Sequence, residues 1–158
     1  MANVVAAAAA FIACVAGGAV LSERREEKIK FLSALCDFNA DYIKEIGFAR
    51  GKISDLLLKN YRSEKFNLLI ASYGKKDFDE QAEKIISRLK IGEISSDVKG
   101  YFKRIGKTDA ITSEKEAARY AEIFSSALKK SEEIDGKYKV IYKKLGVIAG
   151  LAAFVIAI

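Results

Sequence analysis

From Ser113 onward the chain repeats apolar or small residues at heptad spacing. Ala117, Phe124, Ser131, Tyr138, Leu145 and Ala152 form one row, and Tyr120, Ala127, Ile134, Ile141, Ile148 and Val155 form a second. Two such rows predict one long helix that packs along its length. Ser113 and Glu116 have the spacing of a capping box at its start, the serine accepting from a backbone N–H and the glutamate reaching back. Charges continue as far as Lys144 and then stop; LGVIAGLAAFVIAI has none. The pattern predicts a helix that leaves water for an apolar medium, with Asp135 and Gly136 as the place where it would bend.

The other end of the chain has a matching feature. VVAAAAAFIACVAGGAVL, Val4 to Leu21, is uncharged, and as a helix it covers roughly 27 Å, close to the thickness of a bilayer core. A signal peptide would carry a basic region before such a run, whereas here Arg24 and Arg25 follow it. A buried soluble helix is the other alternative, since alanine is a strong helix former. A transmembrane anchor is the preferred reading. Past it the helix is expected to continue to about Ile46. Ile29, Leu32, Cys36, Ile43 and Ile46 make one apolar stripe, and Phe31, Leu35, Phe38 and Tyr42 a second beside it, wide enough to bury against two neighbours.

Gly47 to Lys52 reads as a loop. Short helices are predicted over Ile53–Tyr61, over Ser63–Tyr73 ending at Gly74, from an Asp77 cap to Leu89, and from Ser95 or Ser96 to Ile105 ending at Gly106. No period-2 run persists long enough to suggest a sheet. The expected fold is all-α: an antiparallel helical bundle over 22–144 between transmembrane helices at 1–21 and 145–158.

Composition sharpens this picture. The chain has no proline and no histidine. The first absence leaves helices unbroken, and the second removes the commonest general base and metal ligand. Cys14 and Cys36 sit in apolar helical settings, which points to reduced thiols rather than a disulfide or zinc site. All 27 Lys and Arg and all 21 Asp and Glu lie between Glu23 and Lys144. The two signs are interleaved, as on solvated helix faces, so the net charge of +6 does not imply nucleic acid. Arg24, Arg25, Lys28 and Lys30 follow the first apolar run, and Lys129, Lys130, Lys137, Lys139, Lys143 and Lys144 precede the last, which places the central domain in the cytoplasm. Arg24, Arg25, Lys143 and Lys144 flank the membrane most closely. The last run covers only about 21 Å as a helix, so Lys143 and Lys144 are expected to snorkel. Ala9, Ala13 and Gly17 at four-residue spacing, and Gly146 and Gly150 as GxxxG, are the candidate helix-packing residues within the membrane.

Candidate chemistry is thin. Gly106, Lys107 and Thr108, with Gly100 upstream, approach a P-loop, but one residue too many separates the glycines and a predicted helix precedes the turn where a strand is required. Gly106 is more simply a helix terminus. Without histidine a Ser–His–Asp arrangement is excluded. The residues point to no catalytic, cofactor or metal site, which leaves an interaction or scaffold role. The alternatives are a nucleotide-binding enzyme using Lys107 and Thr108, or an exported protein with a cleaved leader.

Several stretches carry a family resemblance. LSER followed by FLSALCDFNADYI, then YFKRIGKTD with Phe102, Gly106 and Asp109, and finally YKVIYKKLGVIAGLAAFVIAI with Tyr138, Tyr142, Leu145 and Gly146, resemble the stage III sporulation protein AB family. Residues 49–97 show little of it, and Ile46, Gly47, Phe48 and Ala49 replace the family's proline-containing step after the first helix. The resemblance implies a cytoplasmic domain similar to those of type II secretion and pilus platform proteins. It also implies a platform role in the channel complex linking mother cell and forespore, in the mother-cell membrane around the forespore. The implied partners are the complex's cytoplasmic ATPase and other stage III sporulation membrane proteins, with no catalytic residue to carry over.

Overall fold

With no proline in the chain, nothing interrupts the backbone ladder of the two long patterned stretches, and each forms one helix. The computed structural model describes residues 2–48, 53–107 and 109–157. Within these, α1 runs over Ala2–Phe48 and α6 over Ala110–Ala157. Between them come α2 (Ile53–Leu58), α3 (Glu64–Ala71), α4 (Phe78–Leu89), one 3-10 turn at Gly92–Ile94, and α5 (Ser95–Arg104). The fold is all-α, with no strand among the described residues. Gly47 and Phe48 extend α1 where a loop was expected, the remainder of that loop (49–52) lies outside the described residues, and α2 stops at Leu58, short of Tyr61. Residues Asp135 and Gly136 are helical, so α6 continues through the expected bend.

The chain divides into two compact units. The central one is Glu27–Lys130; the terminal one joins Met1–Glu26 to Ser131–Ile158. The expected boundaries at residues 22 and 144 thus fall within the terminal unit.

The central unit follows from the aromatic stripe of α1. Phe31, Leu32, Leu35, Phe38 and Tyr42 are buried against Phe66 and Leu69 of α3, Ile86 and Leu89 of α4, Val98, Tyr101 and Phe102 of α5, and Ala117, Tyr120 and Phe124 of α6. Cys36, Ile43 and Ile46 of the companion stripe are only partly buried at its edge. Phe38 is the hub: its ring centroid lies 5.7 Å from Tyr61, 5.6 Å from Phe66 and 5.7 Å from Phe102. The first two contacts are edge-to-face, the arrangement the ring quadrupoles favour. Buried Asn39 donates its Nδ2 to the Ala117 carbonyl at 2.9 Å, tying α1 to α6.

Helix ends in this unit show which local signals operate. Ser63 caps α3, its hydroxyl accepting from the Phe66 N–H at 3.2 Å. Asp77 stands at the N-cap of α4 but makes no side-chain cap hydrogen bond. After α5 the backbone turns at Gly106 with φ +72°, and the Gly106 N–H donates to the Tyr42 hydroxyl at 3.1 Å. The expected capping box at Ser113 and Glu116 is not the start of α6. Asp109 caps it instead: its Oδ2 accepts from the Thr112 N–H at 3.1 Å and its carbonyl from Ser113 at 2.9 Å. Ser113 is buried inside the helix, and Glu116 accepts from Arg104 at 2.8 Å. A short acidic side chain placed soon after the Gly106 turn reaches the free N–H groups first. The Thr112 hydrogen bonds hold the Asp109 carboxyl below its ordinary pKa. The stabilisation it provides is therefore present above the ordinary carboxylate range and lost as pH falls through the lowered value.

Urea denaturation of the full chain in mild detergent checks these assignments. Ser63→Ala should cost about 1 kcal/mol, whereas Asp77→Ala should leave the midpoint unchanged.

Candidate functional site: the packed face of the terminal helices

In the terminal unit, α1 and α6 meet antiparallel through their smallest residues. A Cβ added to Gly18 would stand 2.6 Å from the Tyr142 carbonyl oxygen and 3.0 Å from Gly146 Cα. One on Gly146 would meet the Cys14 carbonyl oxygen at 3.0 Å, and one on Gly150 the Phe11 ring at 2.8 Å. Gly146 and Gly150 therefore both lie in the contact. Ala9, Ala13 and Gly17 do not: all three are exposed, and nothing lies within 4 Å of a Cβ on Gly17. The packed face of α1 runs instead through Ala7, Phe11, Cys14, Gly18 and Ser22, the residues that a 3.6-residue period puts in line. Gly17 and Gly18 are adjacent in sequence but about 100° apart around the helix.

The heptad rows of α6 change partners at the unit boundary. Ala117, Phe124 and Tyr120 are buried in the central unit, and Ser131 begins the contact in the terminal one. From there the packed line passes through Asp135, Gly146 and Gly150, with Tyr142 half-buried. The large members of both rows (Ile134, Tyr138, Ile141, Leu145, Ile148 and Val155) face outward. In this unit most bulky apolar side chains on both helices are exposed, Val5 by 70%, Val155 by 73% and Ile156 by 85%, with Phe11 the large residue in the contact.

At one end of the small-residue contact lies a cluster of charge. Arg25 Nη1 donates to Asp135 Oδ1, and Asp135 is 1% exposed. The guanidinium lies 5.8 Å from the Tyr138 ring centroid and 5.9 Å from that of Tyr142, and these rings stack on each other at 6.0 Å. Glu26 and Lys139 form a second pair at 2.8 Å. Burial works against the Arg25 charge, but Asp135 and then Tyr142 outweigh it and leave its pKa raised. Of the four cations expected to flank a membrane, Arg25 is thus turned into the helix pair, while Arg24, Lys143 and Lys144 are exposed.

The nucleotide alternative finds little geometry. Lys107 is exposed, and its backbone N–H closes the turn after α5 by donating to the Arg104 carbonyl at 3.0 Å. The element leading into it is a helix, and Thr108 lies outside the described residues. An open groove of about 300 Å³ in the central unit is lined by Asp37, Asp41, Lys44, Lys59, Tyr61 and Arg62. There Asp41 accepts from both Lys59 and Tyr61, and burial followed by Asp41 pushes the Tyr61 hydroxyl pKa upward, away from any nucleophilic or basic role near neutrality. No cluster of metal-ligating side chains occurs among the described residues.

No protein-family model, curated protein or solved structure matches the chain.

Sequence reasoning missed Gly18, Ser22 and the pairing of Arg25 with Asp135. One signal was present: Asp135 is the last carboxylate before the uncharged run and shares a helix face with Ser131, Tyr142 and Gly146.

Thermal unfolding in mild detergent separates the two glycines. Gly18→Ala should lower the melting temperature because both close contacts are backbone, and Gly17→Ala should hold or raise it. A double-mutant cycle tests the ion pair: Arg25→Ala and Asp135→Ala should each destabilise, and the double variant should recover part of the summed loss, since neither charge is then left without its partner.

Proposed function

We propose that this chain is a non-enzymatic membrane scaffold, in which the uncharged runs of the terminal unit form an antiparallel transmembrane hairpin and residues 22–144 a cytoplasmic helical bundle for docking partners. The observation that carries the reading is the inverted packing of the terminal unit, with glycines, Ser22, Ser131 and an ion pair inside and most of the large apolar side chains outside. In water such an arrangement forfeits the main driving force for folding. In lipid, bulky apolar residues face chains as apolar as themselves, and helices associate through small residues that allow close backbone approach.

One helix, α1, is long and apolar enough to cross a membrane among the described residues. The uncharged run of α6 packed against it is the second span of the proposal. Basic residues beside both runs favour a cytoplasmic placement for the central unit. The central unit places its aromatic residues in its own core, and its open groove holds the Lys59–Asp41 ion pair, so docking rather than turnover is the activity we assign to its surface.

The narrower form of the proposal rests on the sequence resemblance to the stage III sporulation protein AB family. On it, the chain is a platform of the channel complex in the mother-cell membrane around the forespore, in contact with a cytoplasmic ATPase and other stage III membrane proteins.

Reporter fusions at Gly100 test the topology. A reporter active only in the cytoplasm should function there, and an export-dependent one should stay silent; the reverse result contradicts the reading. In an endospore former that carries this gene, its deletion should arrest sporulation after engulfment and leave vegetative growth normal. A fully sporulating deletion strain would remove the narrower role while leaving the membrane scaffold standing.

A further inference from the structure

The register of the two terminal helices fixes the depth of their charges. Gly18 lies against Tyr142 and Gly146, and Arg25 against Asp135. Lys143 and Lys144 therefore stand level with the turn of α1 between Gly17 and Leu21. That turn is uncharged, and the first charges of α1 come only at Glu23 and Arg24. At 1.5 Å of rise per residue, the two lysines sit on the order of 5–10 Å further toward the apolar end of the hairpin than Glu23 and Arg24 do.

Their surroundings give this offset a chemical meaning. Both lysines are exposed, and the ion pairs of the terminal unit engage other cations: Arg25 with Asp135 and Lys139 with Glu26. Beyond Asp135 the sequence of α6 contains no carboxylate. Leu145 beside them, and Val20 and Leu21 at the same level on α1, are exposed apolar side chains. Two adjacent cations are thus bordered by outward-facing apolar surface, and among the described residues neither is ion-paired with a carboxylate. A phosphate group attached to acyl chains satisfies both halves of that environment.

We propose that Lys143 and Lys144 form a binding site for the phosphate of an anionic phospholipid, drawn below the general headgroup level, with its acyl chains along the exposed apolar faces. This rests on the membrane reading above. Lysine stems are long enough to lie along apolar surface while the ammonium groups reach headgroup oxygens, and an anionic leaflet adds attraction for each cation near it. The structure thereby separates two roles that look alike in the sequence: Arg25 holds the helices together, and Lys143 and Lys144 hold lipid.

The full chain, purified in a neutral detergent, is titrated with phosphatidylglycerol, phosphatidylcholine or inorganic phosphate while its melting temperature is followed. Phosphatidylglycerol should raise that temperature, and the other two should not at equal concentration. Lys143→Gln with Lys144→Gln should abolish most of the shift without changing the lipid-free melting temperature, whereas Lys137→Gln should keep it. Equal shifts with phosphatidylcholine, a matching shift with free phosphate, or an undiminished shift in the double variant would each overturn the proposal. Extraction of membranes with alkaline carbonate keeps the two readings apart. A chain released by carbonate refutes the membrane function itself, and one that stays embedded without preferring phosphatidylglycerol refutes the lipid site alone.

Discussion

The approach of α1 to α6 at Gly18 and Gly146 governs the rest of the terminal unit. Backbones this close leave no space for a side chain on either glycine, so most bulky residues of the terminal unit point elsewhere, while Phe11 lies in the contact with its ring against Gly150. The consequence is a packed line of small residues and an outer surface of valine, isoleucine and leucine. Contact of this kind gains little from removing apolar area from water and depends on close van der Waals packing, which is the currency of helix association in lipid. The same line delivers Asp135 to Arg25. A carboxylate that buried is tolerable only with a partner, and the stacked tyrosines at 138 and 142 add their ring faces to the guanidinium.

The central unit obeys the opposite rule. Its aromatic residues converge on Phe38 and Phe102, away from solvent, and its surface carries exposed pairs such as Lys99 with Glu83 and Lys130 with Glu93. Pairs of this kind contribute little each to stability, so hydrophobic burial sustains this unit. Two packing logics thus coexist along the same two long helices, and they change over near Glu26 on α1 and Ser131 on α6. On the proposed reading, the passage from cytoplasm to membrane lies further along, inside the terminal unit, where the charges end at Glu23 on α1 and at Lys144 on α6. A scaffold needs this combination: one part held in the bilayer, the other rigid enough to present a surface.

Much of this was legible in the residues. The absence of proline and the apolar stripes announced two very long helices, and the stripe of Phe31, Leu35, Phe38 and Tyr42 identified the central core. Helix ends were read less well. Ser63 behaved as its type suggests, but Asp109 displaced Ser113 as the cap of α6, because cap choice depends on where the preceding turn delivers the chain. The small-residue face of α1 was misplaced by one position: alanines and glycines are dense enough there to form several rows, and only the partner helix selects Gly18 over Gly17. The heptad rows of α6 failed beyond Ser131 for a related reason. A period predicts that a face is shared, but it does not say which side of the helix the partner covers.

The central claim is that the bulky outer surface of the terminal helices contacts lipid. It is tested most directly by placing a nitroxide at Ile12, and separately at Leu151, in the full chain reconstituted into vesicles, with Cys14 and Cys36 replaced. Power-saturation measurements then compare collisions with oxygen, which concentrates in hydrocarbon, against those with a water-soluble nickel chelate. The account predicts strong oxygen and weak nickel accessibility at both positions. Strong nickel accessibility at either one would contradict it.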